Sequence, residues 1–82
     1  MYEILVTELA KKQLEKLDAR TRNHIAAVIE RMRIRPFAYV KAIVGSPYYR
    51  VRAGDYRAIL DIRQGQLVIL VLEVGHRKTI YK

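Results

Sequence analysis

The sequence predicts an α+β domain in which an N-terminal strand and an antiparallel helix hairpin pack on one face of a small, mainly antiparallel, twisted sheet. Three features point there. A short β-branched and apolar run opens the chain at residues 2–6, apolar residues at helical spacing follow up to Pro36, and residues 48–81, YYRVRAGDYRAILDIRQGQLVILVLEVGHRKTIY, alternate as strands do around two turns. At 82 residues the chain has room for one domain, residues 1–82, with one modest core.

Tyr2 to Val6 is the first expected strand. Thr7 is placed to cap the next helix, with Glu8 in the dipole-favoured first turn and Leu9, Ala10, Gln13, Leu14 and Leu17 along one stripe. Asp18 caps a second helix, whose Ile25, Val28, Ile29 and Met32 repeat at i, i+3, i+4 and i+7. Pro36 ends it, because the residue before proline is pushed out of the α region. Helices joined so tightly form an antiparallel hairpin with a shared apolar side. Residues 37–46 form a connector, with a helical turn expected around Ala38 to Ile43.

The strands follow. Gly54-Asp55 suits a two-residue hairpin turn that needs φ > 0 at its first central position. With that turn, Ala53 faces Tyr56, Arg52 faces Arg57, Val51 faces Ala58 and Arg50 faces Ile59. Alternation puts Tyr49, Val51, Ala58, Leu60 and Ile62 on the core side and Arg50, Arg52 and Arg57 on the other. A second turn at Gln64-Gly65 leads to a last strand, Leu67 to Val74, apolar on both faces and therefore central or covered. This register aligns Asp61 with Val68 and Ile59 with Leu70, adding Ile59, Val68, Leu70 and Leu72 to the arginine face. A chain this short has no third layer for that face, so it is expected to meet a partner or substrate.

Opposed like charges destabilise a strand pair, so Arg52 against Arg57 gains nothing for stability alone. An anion between the guanidiniums reverses the sign, and phosphate matches the guanidinium fork. The plain alternative is a basic, solvated sheet surface. Sixteen Lys and Arg against eight Asp and Glu, a net charge of +8 and a pI near 10.1 point to nucleic acid, an anionic surface or an acidic protein. Gly75-His76-Arg77 adds a titrating side chain and another cation after the last strand, although a histidine there is commonly a turn residue. Tyr81 is either a frayed end or a platform on which a base stacks. His24, within the second helix, reads as a surface residue.

Other chemistries find little support. Two distant histidines, no cysteine and scattered carboxylates offer no metal shell, and no Ser-His-Asp arrangement, P-loop or dinucleotide glycine motif occurs. No cofactor is expected. The absence of cysteine fits a reducing, cytoplasmic setting, and no apolar run is long enough to span a membrane. If the substrate is RNA, a metal-free route has the 2'-hydroxyl attack its neighbouring phosphate. Such a site must take the hydroxyl proton, stabilise the phosphorane-like charge and protonate the 5'-oxygen; arginine suits the second task and proton transfer poorly.

The strings YRVRAGDYRAIL and LVILVLEVGHRKTIY resemble the RelE toxins of type II toxin-antitoxin systems, and the likeness extends over essentially the whole chain. It implies a ribosome-dependent endoribonuclease that cuts messenger RNA in the decoding site without metal and is neutralised by a RelB-like antitoxin. By motif position, it puts phosphate binding and proton transfer on Arg50, Arg52 and Arg57, a further phosphate contact on Arg77 and base stacking on Tyr81. The family's lysines in the first hairpin strand are here Arg50 and Arg52, which leaves the general base open: His76, whose unperturbed pKa lies near neutrality, is the candidate to share that work, and the ribosome or the RNA itself is the alternative source. Two other readings stand beside this one, a ParE-like toxin that binds and poisons DNA gyrase, and a relative that only binds RNA.

Overall fold

The computed structural model describes residues 1–78, so Tyr81 lies outside the described residues. Its elements are β1 (Glu3–Val6), α1 (Glu8–Glu15), α2 (Ala19–Arg31), β2 (Lys41–Ala42), β3 (Tyr49–Ala53), β4 (Tyr56–Arg63) and β5 (Val68–His76), with short 3-10 turns at Pro36–Ala38 and Gln64–Gln66. The five strands form one sheet in the order β1-β5-β4-β3-β2. Only β1 runs parallel to its neighbour, β5; the other pairs are antiparallel.

Both helices start where their caps stand. The Thr7 hydroxyl accepts from the Ala10 amide at 3.1 Å, and the Asp18 carboxylate accepts from the Thr21 amide at 3.4 Å. The helices cover one face of the sheet. Ala10, Ile25, Ile29 and Met32 meet Val51, Ala53, Ala58, Leu60, Ile62, Ile69, Val71 and Val74 in a single core, and Leu14, Leu17 and Val28 pack against it.

The first hairpin has the expected register, from Ala53↔Tyr56 through Arg52↔Arg57 and Val51↔Ala58 to Arg50↔Ile59. Gly54 sits at φ +62, the left-handed conformation that the turn requires.

Elsewhere the structure corrects the sequence reading. The connector contains β2, which pairs Lys41 with Arg50 and Ala42 with Tyr49, and its only helical turn comes earlier than expected, at Pro36–Ala38. Strand β1 begins at Glu3 rather than Tyr2, whose amide instead donates to the Arg33 carbonyl at 2.7 Å.

The second turn is longer than two residues. It takes in Gln64–Gln66 and Leu67, which adopts a left-handed conformation at φ 54. Asp61 therefore pairs with Leu70, not Val68.

A β-bulge then interrupts the β4–β5 ladder. Leu60 pairs with Val71 and Ile59 with Glu73, leaving Leu72 as the extra residue. Neighbouring groups hold this bulge. The Thr7 hydroxyl donates to the Leu72 carbonyl at 2.9 Å, the Thr7 amide donates to the Val71 carbonyl at 3.1 Å, and the Val74 amide donates to the Gln13 side-chain oxygen at 2.7 Å. Because side chains alternate along a strand, one inserted residue exchanges the faces of everything after it. Val68 and Leu70 thus share the arginine side as expected, whereas Leu72 drops out of register and Glu73 takes its row.

Candidate functional site

Two rows of side chains cross the sheet on the face turned away from the helices. One runs Lys41, Arg50, Ile59, Glu73 over β2, β3, β4 and β5; the next runs Arg52, Arg57, Gly75. Their positively charged ends enclose a cleft of about 160 Å³ lined by Tyr39, Lys41, Arg50, Arg52 and Arg57. Among the described residues, that lining is Tyr39 and four cationic side chains. Asp61, on the same face further along β4, is engaged by Arg63 Nε at 3.0 Å.

The strands set these positions. Gly54 fixes the hairpin and so brings Arg52 opposite Arg57. The Arg52 Nε donates to the Gly54 carbonyl at 3.0 Å, which holds its guanidinium at the hairpin tip. Arg50 and Arg57 are half-buried, while Arg52 and Lys41 are exposed. Ile59 is buried, only 9% exposed, yet stands outside the core cluster, between Arg50 and Glu73 in its row. The cleft thus has an apolar residue beside its cations, and a low local dielectric strengthens charge-assisted contacts with a bound anion.

Three residues expected at the site are therefore brought together: Arg50, Arg52 and Arg57. Arg77 lies just past the end of β5, exposed, with its backbone amide donating to the Asp55 carbonyl at 2.9 Å beside the hairpin turn. His76 is held elsewhere. It pairs with Tyr56 in register, and Tyr56 precedes Arg57 on the strand, so both rings belong to the helix side of the sheet. They meet edge to face, with centroids 5.5 Å apart, and His76 Nδ1 accepts from the Lys78 amide at 3.2 Å. The bulge at Leu72 accounts for this, since the unbroken register would have put His76 on the arginine face.

Lys41 and Tyr39 escaped the sequence reading. A two-residue strand has no alternation to detect, and without β2 nothing links residue 41 to Arg50. The one available signal was a lysine nine residues before Arg50 in a segment ending at Gly45 and Pro47, consistent with a tight return of the chain.

Among the described residues, no group of three or more His, Cys, Asp or Glu side chains could hold a metal ion, and no helix is long and apolar enough to cross a membrane. A second, shallower groove lies across the hairpin from the cleft, lined by Arg20, Thr21, Asn23, His24, Asp55 and Tyr56 among others. His24 is exposed there, its ring 3.9 Å from where a Cβ on Gly54 would stand.

The fold is shared with known toxins. The chain is 27% identical to a chain of the RelBE2 toxin-antitoxin complex from Mycobacterium tuberculosis, with a TM-score of 0.80 over 93% of this chain and 98% of that one. It is 27% identical to a chain of the RelB-RelE antitoxin-toxin complex from Methanococcus jannaschii, with a TM-score of 0.73 over 95% of each chain. At 22% identity, the archaeal RelE-RelB complex from Pyrococcus horikoshii shares the fold, with a TM-score of 0.81 over 95% of this chain and 97% of that one. No curated protein matches by sequence. The family profile for the ParE toxin of the type II toxin-antitoxin system parDE matches residues 4–81, and the chain therefore belongs to the RelE/ParE superfamily of type II toxins.

Proposed function

We propose that this toxin is a ribosome-dependent endoribonuclease that stops translation by cutting messenger RNA in the decoding site, and that a RelB-like antitoxin holds it inactive. The observation that carries this reading is the cleft itself: Lys41, Arg50, Arg52 and Arg57, from three neighbouring strands, gather round one small space. A backbone phosphate is the anion that such a fork of guanidiniums grips in more than one direction at once.

In the reaction, the 2'-hydroxyl oxygen attacks the adjacent phosphorus and the bond to the 5'-oxygen breaks, leaving a 2',3'-cyclic phosphate and a 5'-hydroxyl. Negative charge builds on the non-bridging oxygens meanwhile. Arg50, Arg52 and Arg57 stabilise that charge from preorganised positions, where a donor acts without reorganising at the moment of reaction. Arg77, at the tip of the hairpin, adds a phosphate contact, and Tyr81 supplies a surface for base stacking. His76, on the helix side, is given no proton-transfer role; its ring contact with Tyr56 buttresses the strand end that carries Arg77.

Primer extension on a translated message after toxin induction tests this. The expected result is new 5' ends at fixed positions within codons, absent when ribosomes are kept off the message. The match to the ParE profile favours a second reading, a gyrase poison. Intact message with failing DNA supercoiling would replace the nuclease by that poison.

A further inference from the structure

Cleavage by 2'-hydroxyl attack needs a proton acceptor, and three of the five described side chains lining the cleft are guanidiniums, which remain protonated at any ordinary pH. His76 is on the opposite face. Among the described residues, Lys41 and Tyr39 are those left in the cleft with a proton they can exchange. We propose that Lys41 is the general base, taking the 2'-hydroxyl proton on its Nζ; this rests on the nuclease reading.

The placement of Lys41 suits the task better than that of Tyr39. The ladder fixes Lys41 directly opposite Arg50 and one row from the Arg52↔Arg57 pair, so its amine shares a face with every guanidinium of the cleft. Tyr39 belongs to the turn leading into β2 and is 49% exposed at the rim. The charged groups facing Lys41 are Arg50 on β3, Arg52 at the hairpin tip and Arg57 on β4; the carboxylate in its row, Glu73 on β5, lies beyond Ile59. Lysine is also the side chain of this set whose flexible stem lets a neutral amine reach a hydroxyl beside a bound phosphate.

The proton balance closes within the cleft and solvent. The neutral amine accepts the 2'-hydroxyl proton and becomes an ammonium as charge grows on the phosphate, adding a fourth cation when it is most useful. The departing 5'-oxygen takes a proton from water, and the ammonium returns its own to solvent before the next turnover.

Single-turnover cleavage on programmed ribosomes, followed from pH 6 to 9, decides the matter. Lys41→Arg keeps the charge and removes the exchangeable amine; we expect cleavage to fall by about 10²-fold or more, the usual contribution of a general base, while ribosome binding stays the same. The chain has no cysteine, so Lys41→Cys can be alkylated at that position alone with bromoethylamine, giving a less basic amine at nearly the same reach. The alkylated protein is expected to regain cleavage with its pH profile displaced to lower pH. Wild-type cleavage by Lys41→Arg, or rescue without displacement, would overturn the assignment, as would a loss of the pH dependence in Tyr39→Phe. A wild-type protein that cuts nothing would instead bring down the nuclease reading and the base together.

Discussion

Replacing Thr7 by valine keeps the volume of the side chain and deletes one hydroxyl that does two jobs. It caps α1 by accepting from the Ala10 amide, and it donates to the carbonyl of Leu72, the extra residue in the bulge. Loss of an N-cap costs about 0.5–2 kcal/mol, and loss of one ordinary hydrogen bond about 0.5–1.5 kcal/mol net. Water reaches this half-buried position, so the combined effect falls at about 1–3 kcal/mol. For a domain this size each kcal/mol lowers Tm by about 4–8 °C. Urea unfolding monitored by circular dichroism measures it, with the midpoint lowered and the slope unchanged.

Thr7→Asp separates the two jobs. A carboxylate caps α1 well but cannot donate to Leu72, so about 0.5–1.5 kcal/mol of the loss should remain. A Thr7→Val change below about 0.5 kcal/mol, on the scale of a neutral surface substitution, would show that neither bond matters. A Thr7→Asp protein as stable as the wild type would show that the bulge holds without Thr7.

Arg57→Ala is expected to reduce cleavage by about 10²–10³-fold, the effect of removing one charge-stabilising donor, while the urea midpoint shows that the domain still folds. Gly54→Ala should destabilise the hairpin by about 1–2 kcal/mol, because a side chain at positive φ crowds its own carbonyl; the 3.9 Å gap to His24 is ordinary contact, so the backbone carries the cost. Thermal melts read that loss, and Gly54→Asn should recover part of it. For Asp18, hydrogen bonding from Thr21 holds the carboxyl below its ordinary value. Its stabilising contribution is therefore present above the unfolded-state pKa and lost as pH falls through the lower folded-state value. Asp18→Ala should lower the urea midpoint at pH 7, with the difference from wild type shrinking below about pH 4.

The parts of this molecule that could be read from its sequence are those with a local physical marker. Thr7, Asp18 and Pro36 delimit the helices through hydrogen-bonding or steric rules that act within a few residues. Gly54-Asp55 did the same for the first hairpin, and every pair from Ala53↔Tyr56 to Arg50↔Ile59 followed from it. The last strand carried no such marker. Leu67 to Val74 is apolar at nearly every position, so alternation gave it no phase, and neither the longer turn nor the bulge at Leu72 left a trace in composition. The hydrogen bonds that hold the bulge come from Thr7 and Gln13, more than 60 positions away in sequence. Lys41 was hidden for a related reason: its link to Arg50 is a tertiary pairing of two residues too few to show a period.

The cations and the hydrophobic interior occupy opposite sides of the same strands, so substitutions at Lys41, Arg50, Arg52 and Arg57 need not disturb the packing beneath them. Such a scaffold can change its target one odd or even position at a time while its folding remains almost intact. A lineage built on it can pass from cutting one macromolecule to gripping another through variants that all still fold, and an experimenter can silence the poison while leaving the architecture in place.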